Sequence, residues 1–284
     1  MRRWRLIAFL GVLLGLFLGV PGCNWSSTRR GVVGDLHSPE RIAQAQAIGD
    51  RAQAALDAGD LPQAEAELRR LVAVAPKSPE GYQRLGAVLQ TQGKVAEAEA
   101  CFLKALELEA DYVAALIGLG RLEASRGQFD AAVKYLESAV EIEPHDASGQ
   151  LALAQVMESL GRIDEALAAY FRALQNDPFL SEPNRRIAAI QIARDQADQA
   201  LVRLDQTIEI NPDDAESIFL RGRAHLALKH VSAAVDDLRT ASQRLPERPE
   251  VYLALAQALE AARRPADAIQ AAEKAIANPL LDEI

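Results

Sequence analysis

Apolar side chains recur at three- and four-residue steps along most of the chain, with polar side chains between them. Steps of this kind predict amphipathic α-helices. From residue 45 onward the pattern repeats every 34 residues, and each block carries two helical stretches. A fixed period of this length predicts a repeat architecture. The seven consecutive blocks are 45–78, 79–112, 113–146, 147–180, 181–214, 215–248 and 249–282.

Two positions of the block are small throughout. The eighth position is Ala52, Gly86, Gly120, Ala154, Ala188, Gly222 and Ala256. The twentieth position is Ala64, Ala98, Ala132, Ala166, Ala200, Ala234 and Ala268. Small residues on both stretches predict two antiparallel helices that approach closely. One such helix pair cannot bury its apolar face alone, so neighbouring pairs are expected to stack on each other.

Breaker residues separate the helical stretches. Four blocks have glycine between their two stretches, at Gly59, Gly93, Gly127 and Gly161. Proline stands near the end of the second stretch in most blocks, and both residues end helices. A long coiled coil would need no breaker every 34 residues, so the pattern argues against it. Asp195, Lys229 and Arg263 replace the glycine in the last three blocks, where we expect turns of a different shape.

The second block shows which known family the repeats resemble. Its key residues are Tyr82, Leu85, Gly86, Leu89, Gly93, Ala98, Phe102 and Ala105. These residues resemble the tetratricopeptide repeat family, and the resemblance extends over residues 45–282. It implies an all-α fold, an α-solenoid of about seven helix-turn-helix repeats forming a right-handed superhelix. It also implies a concave groove, lined by the first helices, that binds a protein or peptide.

The resemblance also implies which positions face that groove. The candidate groove residues are Gln53, Gln83, Arg84, Ile117, Arg121, Leu151, Gln155, Arg185, Arg186, Phe219, Arg223, Leu253 and Gln257. Amide, cationic and apolar groups together suit an extended peptide. Simple solvation explains the arginines equally well, and helix dipoles explain acidic neighbours such as Glu80 and Glu250. No three successive blocks carry the Lys and Asn set with which one family subset grips a chaperone's terminal carboxylate.

The N-terminus has the layout of a secretory signal. Three arginines precede an uninterrupted apolar or glycine run from Leu6 to Val20. As a helix this run would extend only about 22 Å, less than the hydrocarbon core of a bilayer. We therefore predict a signal peptide over residues 1–22, a flexible tether over 23–39 and the repeat domain over 40–284. A signal anchor that stays in the membrane is the alternative.

Cys23 ends a segment, Val20-Pro21-Gly22-Cys23, that resembles the lipobox of bacterial lipoproteins. The resemblance implies lipidation of Cys23 and a lipid-anchored protein of the bacterial cell envelope, with a periplasmic or extracytoplasmic repeat domain. The repeat family contains similar lipoproteins, including pilotins of the type IV pilus and outer-membrane assembly factors. An ordinary signal peptide with an incidental cysteine is the alternative.

Composition narrows the partner class. The formal net charge is −9, and an acidic body argues against nucleic acid as a partner. Cys23 and Cys101 are the only cysteines, so a disulfide framework is excluded by number. Cys101 lies in a helical pattern and is expected to pack rather than react.

The sequence offers little for catalysis. No histidine has metal-site spacing with cysteine or glutamate, and the glycines belong to repeat turns rather than to a phosphate loop. His225 and His230 are five residues apart, which would turn them to different faces of one helix. We therefore predict a protein without catalytic residues, cofactor or metal.

Two functional hypotheses remain from the sequence. The first is a membrane-tethered scaffold that binds a protein or peptide and supports assembly of an envelope complex, or the same adaptor secreted without lipid. The second is a structural protein whose copies stack on one another as a homo-oligomer, because the outward face of residues 266–277 needs a cover, either from the C-terminal tail or from a second subunit.

Overall fold

The computed structural model describes residues 38–277, and every regular element in that range is an α-helix. The helices are α1 Pro39–Asp57, α2 Leu61–Val74, α3 Pro79–Thr91, α4 Val95–Leu108, α5 Val113–Ser125, α6 Phe129–Ile142, α7 Ala147–Ser159, α8 Ile163–Asn176, α9 Ser181–Ala193, α10 Ala197–Ile210, α11 Ala215–Ala227, α12 Val231–Arg244, α13 Pro249–Ala261 and α14 Pro265–Ile276. The predicted signal peptide, Cys23 and nearly all of the predicted tether lie outside the described residues.

Helix starts follow the sequence period. From α3 to α13 each first helix begins 34 residues after the previous one, and the same spacing separates the second helices from α2 to α14. Only α1 departs, because Ser38 caps it and Pro39 occupies its first turn, so it begins six residues before the first block. The predicted fold class, an all-α array of seven helix pairs, is confirmed.

The chain divides into two compact units, with the boundary between Gly118 and Leu119 inside α5. In the first unit, α1 packs on α2, α2 on α3, and α3 on α4. In the second unit, consecutive helices from α6 to α14 pack on each other in the same way. Each unit is thus a stack of helical hairpins, in which the apolar face of one hairpin is buried by the next.

Short polar side chains begin several of the first helices. Ser78 accepts a hydrogen bond from the backbone N–H of Gly81, and Asp214 accepts one from Ser217. Asp146 accepts two, from Ser148 and Gly149. These bonds satisfy donors that a helix start leaves without partners. They lie at the same block position and fix where the next first helix begins.

The turns between paired helices have one shape in all seven repeats, so the expectation of differently shaped turns was wrong. The glycine turns have φ between 72° and 75°, and Asp195, Lys229 and Arg263 have φ of 57°, 60° and 58°. In each turn the next residue donates a backbone hydrogen bond across the helix end, as His230 does to His225 over 2.8 Å. This bond gives a partner to a carbonyl in the last turn of the first helix. It also holds the turn residue in the left-handed region, even where that residue is not glycine.

Large side chains of the second helices explain the small eighth position. Leu68, Phe102, Leu136, Tyr170, Leu204 and Leu238 occupy one block position and are fully buried. A β-carbon on Gly86 would lie 2.8 Å from the Phe102 ring, and one on Gly222 would lie 2.7 Å from Leu238 Cγ. The alanines at position twenty are fully buried from Ala64 to Ala234. Paired helices therefore touch through backbone on one side and a bulky side chain on the other.

Two arginines stand at a block position that is otherwise apolar, and each has a carboxylate opposite it. Arg221 makes two parallel hydrogen bonds to Asp237, of 2.8 and 2.7 Å. Arg51 donates to Glu67 over 3.0 Å at the equivalent position of the first repeat. Glu67 and Asp237 share one block position in the second helix, so a polar pair replaces an apolar contact there. The pattern at any single position does not predict this exchange, because it involves two positions that lie 16 residues apart.

None of the helices between residues 38 and 277 is both long enough and apolar enough to cross a bilayer.

Candidate functional site

The predicted groove residues all lie on first helices, but they differ in exposure. Leu253 is 48% exposed, and Gln53, Arg121, Arg186, Arg223 and Gln257 are also exposed. Gln83, Gln155 and Arg185 are half-buried. The buried members are Arg84, Ile117, Leu151 and Phe219. The first two sets offer surface to a ligand, whereas the buried members mainly support them, and the site assignment as a whole stays a prediction.

In the first unit, the candidate residues link neighbouring first helices. Nη2 of Arg84 donates to Oε1 of Gln53 over 3.1 Å, which joins α3 to α1. Ile117 is only 6% exposed. Glu80 is nearly buried, and its Oε2 receives no hydrogen bond. Burial raises the pKa of Glu80, and the nearby Arg84 opposes that rise.

In the second unit, a cavity of about 240 Å³ opens between α5 and α7. We call it the groove pocket. Its lining residues are Arg121, Ala124, Phe129, Ala152, Gln155, Val156 and Ser159. Arg121 and Gln155 are both predicted groove residues, so the structure brings two of them to one concave site.

Arg121 has an unusual setting within the groove pocket. Its Nη2 donates to Oγ of Ser148 over 3.1 Å, and no carboxylate of the described chain forms an ion pair with it. The surrounding helices desolvate the guanidinium and lower the pKa of Arg121, while Asp146 and Glu182 oppose this from a distance. Part of the side chain is still exposed to solvent. The pocket therefore presents a cation that lacks a close counter-charge.

The other side of the groove pocket is fixed by an acidic neighbour. Gln155 Nε2 donates to Glu182 Oε1 over 2.7 Å, which orients the amide between α7 and α9. Arg186 lies 3.7 Å from a carboxylate oxygen of Glu158 and 4.0 Å from one of Glu182. Tyr170 also donates to Glu158, over 2.6 Å. Arg186 is thus balanced by carboxylates, unlike Arg121.

Arg185 has a structural role that the sequence did not indicate. Its Nη1 donates to Oδ2 of Asp214 over 2.8 Å, and Asp214 caps α11. The Asp214 side chain is only 4% exposed. Arg185 therefore connects two repeats and is a poor candidate for ligand contact.

Phe219 is covered by two arginines. The guanidinium of Arg223 lies 5.8 Å from the ring centroid and that of Arg248 lies 5.7 Å from it, both within cation–π range. Arg248 also pairs with Glu216 and Glu250. Arg223 has no ion pair within the described residues and is exposed. It is the second candidate cation on this surface whose charge is not balanced by a carboxylate.

His225 and His230 lie together, so the prediction that they face different sides was wrong. Their Nδ1 atoms are 3.4 Å apart, and the ring centroids are 5.6 Å apart. The prediction assumed one continuous helix, whereas α11 ends at Ala227 and the left-handed residue Lys229 folds the chain back. Burial lowers the pKa of His225, and Asp237 partly offsets that effect. Lys229 stands at the turn position that the 34-residue period predicts, so the sequence did contain a signal for this pair.

A second cavity, of about 540 Å³, lies on the other side of the hairpins in the second unit. It is lined by Glu137, Val140, Glu141, Pro144, His145, Gln150, Arg172, Gln175 and Asn176. His145 Nδ1 is 3.3 Å from Asn176 Oδ1, and Gln150 Nε2 donates to the Pro144 carbonyl. This cavity cannot be predicted from the sequence pattern, because its walls come from the ends of three helices and a loop.

Within residues 38–277 no group of three or more histidine, cysteine and carboxylate side chains is arranged to hold a metal ion. The arrangement on the first helices instead offers hydrogen-bond donors and cations over a shallow apolar floor. Stacked helical hairpins with this kind of site define a helical-repeat binding scaffold.

Comparison with known families agrees with that class. Three models described as tetratricopeptide repeat match residues 80–144, 123–191 and 219–280, which together make up more than half of the chain. The chain belongs to the tetratricopeptide repeat family, as the sequence predicted. Proteins of this family are protein-interaction scaffolds that bind protein or peptide partners. A search of curated protein sequences found no match.

Several solved structures share the fold. The chain resembles PilF of Pseudomonas aeruginosa with a TM-score of 0.65 and 18% identity, over 73% of this chain and 94% of that one. It resembles a tetratricopeptide repeat protein of Parabacteroides merdae with a TM-score of 0.59 and 16% identity, over 84% and 94%. It also resembles YrrB, a TPR protein with an unusual peptide-binding site, with a TM-score of 0.53 and 18% identity, over 63% of this chain and 92% of that one. At these identities the likeness shows the fold alone.

Proposed function

We propose that this chain is a non-enzymatic scaffold that binds an extended, acidic segment of a partner protein at the groove pocket. The observation that carries the proposal is Arg121, a partly exposed cation in a concave site without a carboxylate partner in the described chain. A carboxylate side chain of a bound peptide would supply the missing counter-charge through two parallel hydrogen bonds.

The rest of the groove pocket suits the same ligand. Gln155 and Ser159 offer polar groups for a peptide backbone, and Phe129, Ala152 and Val156 form an apolar floor for a neighbouring side chain. Arg223, further along the second unit, extends the preference for acidic residues. YrrB is described as having a peptide-binding site, and this supports a peptide as the ligand class.

A peptide array provides the direct test. Extended peptides containing Asp or Glu should bind the wild-type protein more tightly than the same peptides with Asn or Gln. Arg121→Gln should weaken binding of the acidic peptides by about tenfold or more, because a charge-assisted hydrogen bond contributes about 1.5–3 kcal/mol. Arg121→Gln with Arg223→Gln should remove the acidic preference.

Arg239→Gln is the matched control, because Arg239 is an exposed arginine on the second helix α12 and has no ion pair within the described residues. It should leave peptide binding unchanged. Arg185 is left intact because its pairing with Asp214 holds two repeats together. Equal loss of binding in the Arg239 and Arg121 variants, or no loss in either, would contradict the proposed site.

We further propose that the scaffold is tethered in the bacterial cell envelope by lipid on Cys23, where it supports assembly of an envelope complex. The support is the lipobox-like segment that ends the apolar N-terminal run. The Cys23→Ser protein should lose metabolic labelling with a radiolabelled fatty acid and leave the membrane fraction. Unchanged labelling would exclude lipidation at Cys23. Labelling absent even from the wild-type protein would favour the adaptor without lipid.

Self-association is a second candidate function, and the last helix favours it. Ile269 and Ile276 of α14 are 61% and 74% exposed, at block positions that inner repeats cover with the next hairpin. A second copy of the chain could cover them instead. Sedimentation at increasing protein concentration should then show a larger species that Ile269→Gln with Ile276→Gln abolishes. A monomer at all concentrations would contradict self-association.

A further inference from the structure

The turn between α11 and α12 brings two imidazoles together from opposite sides. His225 lies in the last turn of α11, and His230 is the residue that precedes α12. Lys229 between them has a φ of 60°, and the His230 N–H donates to the His225 carbonyl over 2.8 Å. The backbone of both histidines is therefore fixed by the same turn that every other repeat uses.

The separation of the two ring nitrogens suits a shared metal ion. Their Nδ1 atoms are 3.4 Å apart. An ion about 2.0–2.1 Å from each nitrogen would subtend an N–metal–N angle of about 110°, close to the tetrahedral value that zinc prefers. Imidazole nitrogen is also a preferred ligand of copper and nickel. Little rearrangement of the turn is required for both nitrogens to reach one ion.

One carboxylate lies close to the pair. Nε2 of His225 is 3.9 Å from Oδ2 of Asp237, so the nitrogen away from the shared space faces a carboxylate. That distance is too long for a hydrogen bond, and both Asp237 oxygens accept from Arg221, so Asp237 contributes only negative charge near the ring. Arg221 is a nearby cation, and its charge is balanced by Asp237 and Asp205. The C-terminus of α11 adds a negative dipole end that favours a cation.

The site is also accessible. His230 is exposed, and the His225 side chain is 20% exposed. An ion can therefore reach the pair from solvent, and water can fill the coordination positions that the two imidazoles leave open. Described carboxylates and thiols provide no third ligand in a common cluster, which limits the site to two protein ligands.

We propose that His225 and His230 form a two-histidine binding site for a divalent transition-metal ion, with Cu²⁺ bound more tightly than Ni²⁺ or Zn²⁺. The order follows from the general affinity series of these ions for nitrogen ligands. The site is separate from the groove pocket and does not depend on peptide binding there.

Titration of the full-length protein with CuCl₂ tests the site. Calorimetry should show a Cu²⁺ site that is lost on replacement of both residues in His225→Gln/His230→Gln. Each single variant should bind Cu²⁺ about tenfold more weakly or worse, since even supporting residues of metal sites are worth tenfold or more. Electron paramagnetic resonance of the Cu²⁺ form should show coupling to two imidazole nitrogens.

His145→Gln is the control, because His145 is an exposed histidine whose ring contacts Asn176 instead of a second imidazole. It should bind Cu²⁺ as the wild type does. Addition of ZnCl₂ should raise the unfolding temperature of the wild-type and His145→Gln proteins but not that of the double variant, since a ligand bound only by the folded state stabilises it. The His230 side chain makes no capping hydrogen bond, so the variants keep the turn. Equal Cu²⁺ affinity in the wild-type and double-variant proteins would overturn the proposal.

Discussion

At the scale of single residues, the turn position shows how strongly a hydrogen-bond pattern constrains the backbone. Glycine adopts a positive φ at little cost, whereas other L-residues do so at about 1–2 kcal/mol. The helix-end hydrogen bonds fix the backbone of each turn in this conformation, and they outweigh the conformational cost at Asp195, Lys229 and Arg263. The sequence predicted where the turns lie, since the period places them. It did not predict their shape, which depends on the backbone bonds rather than on the side chain.

Glycine at these turns should therefore stabilise the protein. We expect Lys229→Gly and Arg263→Gly each to raise the free energy of unfolding by about 1 kcal/mol, and Asp195→Gly by less, because aspartate tolerates a positive φ better. All three side chains are exposed, so little contact is lost. Urea unfolding measures the effect. Gly93→Ala should act in the opposite direction, and stabilisation by that change would contradict the explanation.

Glu80 provides a pH-dependent prediction at the same scale. Burial raises the pKa of Glu80, so the folded state binds its proton more tightly than the unfolded state does. The contribution of Glu80 to stability is therefore greatest in acid and is lost as the pH rises through its folded-state pKa. Glu80→Gln should match the wild type near pH 4 and be more stable than the wild type at pH 7.

Glu250 serves as the control for Glu80, because it occupies the same block position in the last repeat and its pKa is shifted in the opposite direction. A hydrogen bond from its own backbone N–H lowers the pKa of Glu250, with help from Arg248. Its contribution is present at neutral pH and is lost as the pH falls. Glu250→Gln should therefore lose stability relative to the wild type at pH 7. Chemical unfolding at several pH values would show whether the two variants diverge in this way.

At the scale of helices, the sequence predicted most of what the structure contains. Helix phase follows from the period, and close pairing follows from the small residues, so both could be deduced without coordinates. The exchange of an apolar pair for Arg221 with Asp237 could not, because it is visible only when two distant positions are known to face each other. The histidine pair is a different case, because the period places a turn at Lys229 and therefore places His225 and His230 on either side of that turn.

Gly222 tests the pairing of α11 with α12. Glycine within a helix usually costs about 1 kcal/mol relative to alanine, so Gly→Ala would ordinarily stabilise. Here the new β-carbon would lie 2.7 Å from Leu238 Cγ and 3.2 Å from Asp237 Cβ. We expect Gly222→Ala to destabilise the protein by about 1–3 kcal/mol. Thermal unfolding gives the sign, and a smaller loss of stability from Gly222→Ala in a Leu238→Ala background than in the wild type would confirm that the clash is the cause.

At the scale of the whole molecule, the groove was predicted less completely than the fold. Positions were predicted from the family resemblance, and all of them lie on first helices. Their roles could not be predicted, because the contacts join one repeat to the next. Arg185 pairs with Asp214, the residue that caps α11 in the next repeat. Phe219 lies beneath the guanidinium groups of two arginines. Arg121 and Arg223 differ from the other candidate arginines because they form no ion pair within the described residues. That difference depends on which side chains surround each arginine in the folded protein, so the sequence position alone does not predict it.

The position of a repeat in its stack should determine how much one side chain contributes. Val235 and Ile269 occupy the same block position in consecutive repeats, but Val235 is 5% exposed and Ile269 is 61% exposed. Val235→Gln should cost about 2–4 kcal/mol, through lost burial and an unpaired amide, whereas Ile269→Gln should change stability by less than about 0.5 kcal/mol. Denaturant unfolding at low protein concentration compares them. Similar losses would mean that α14 is covered in solution.

The uniform turns also provide equivalent positions for spin labels, between which distances along the stack of repeats can be measured. A β-carbon at Gly59, Gly93, Gly127 or Gly161 would meet no atom within 4 Å, so the space around these turns is open. Cysteines introduced at Asp195 and Lys229 would carry spin labels one repeat apart on a shared backbone geometry. Burial raises the pKa of Cys101, which keeps that thiol slow to react and leaves the introduced sites to be labelled first. Distances between such labels would show directly whether a bound peptide stretches or compresses the stack of repeats.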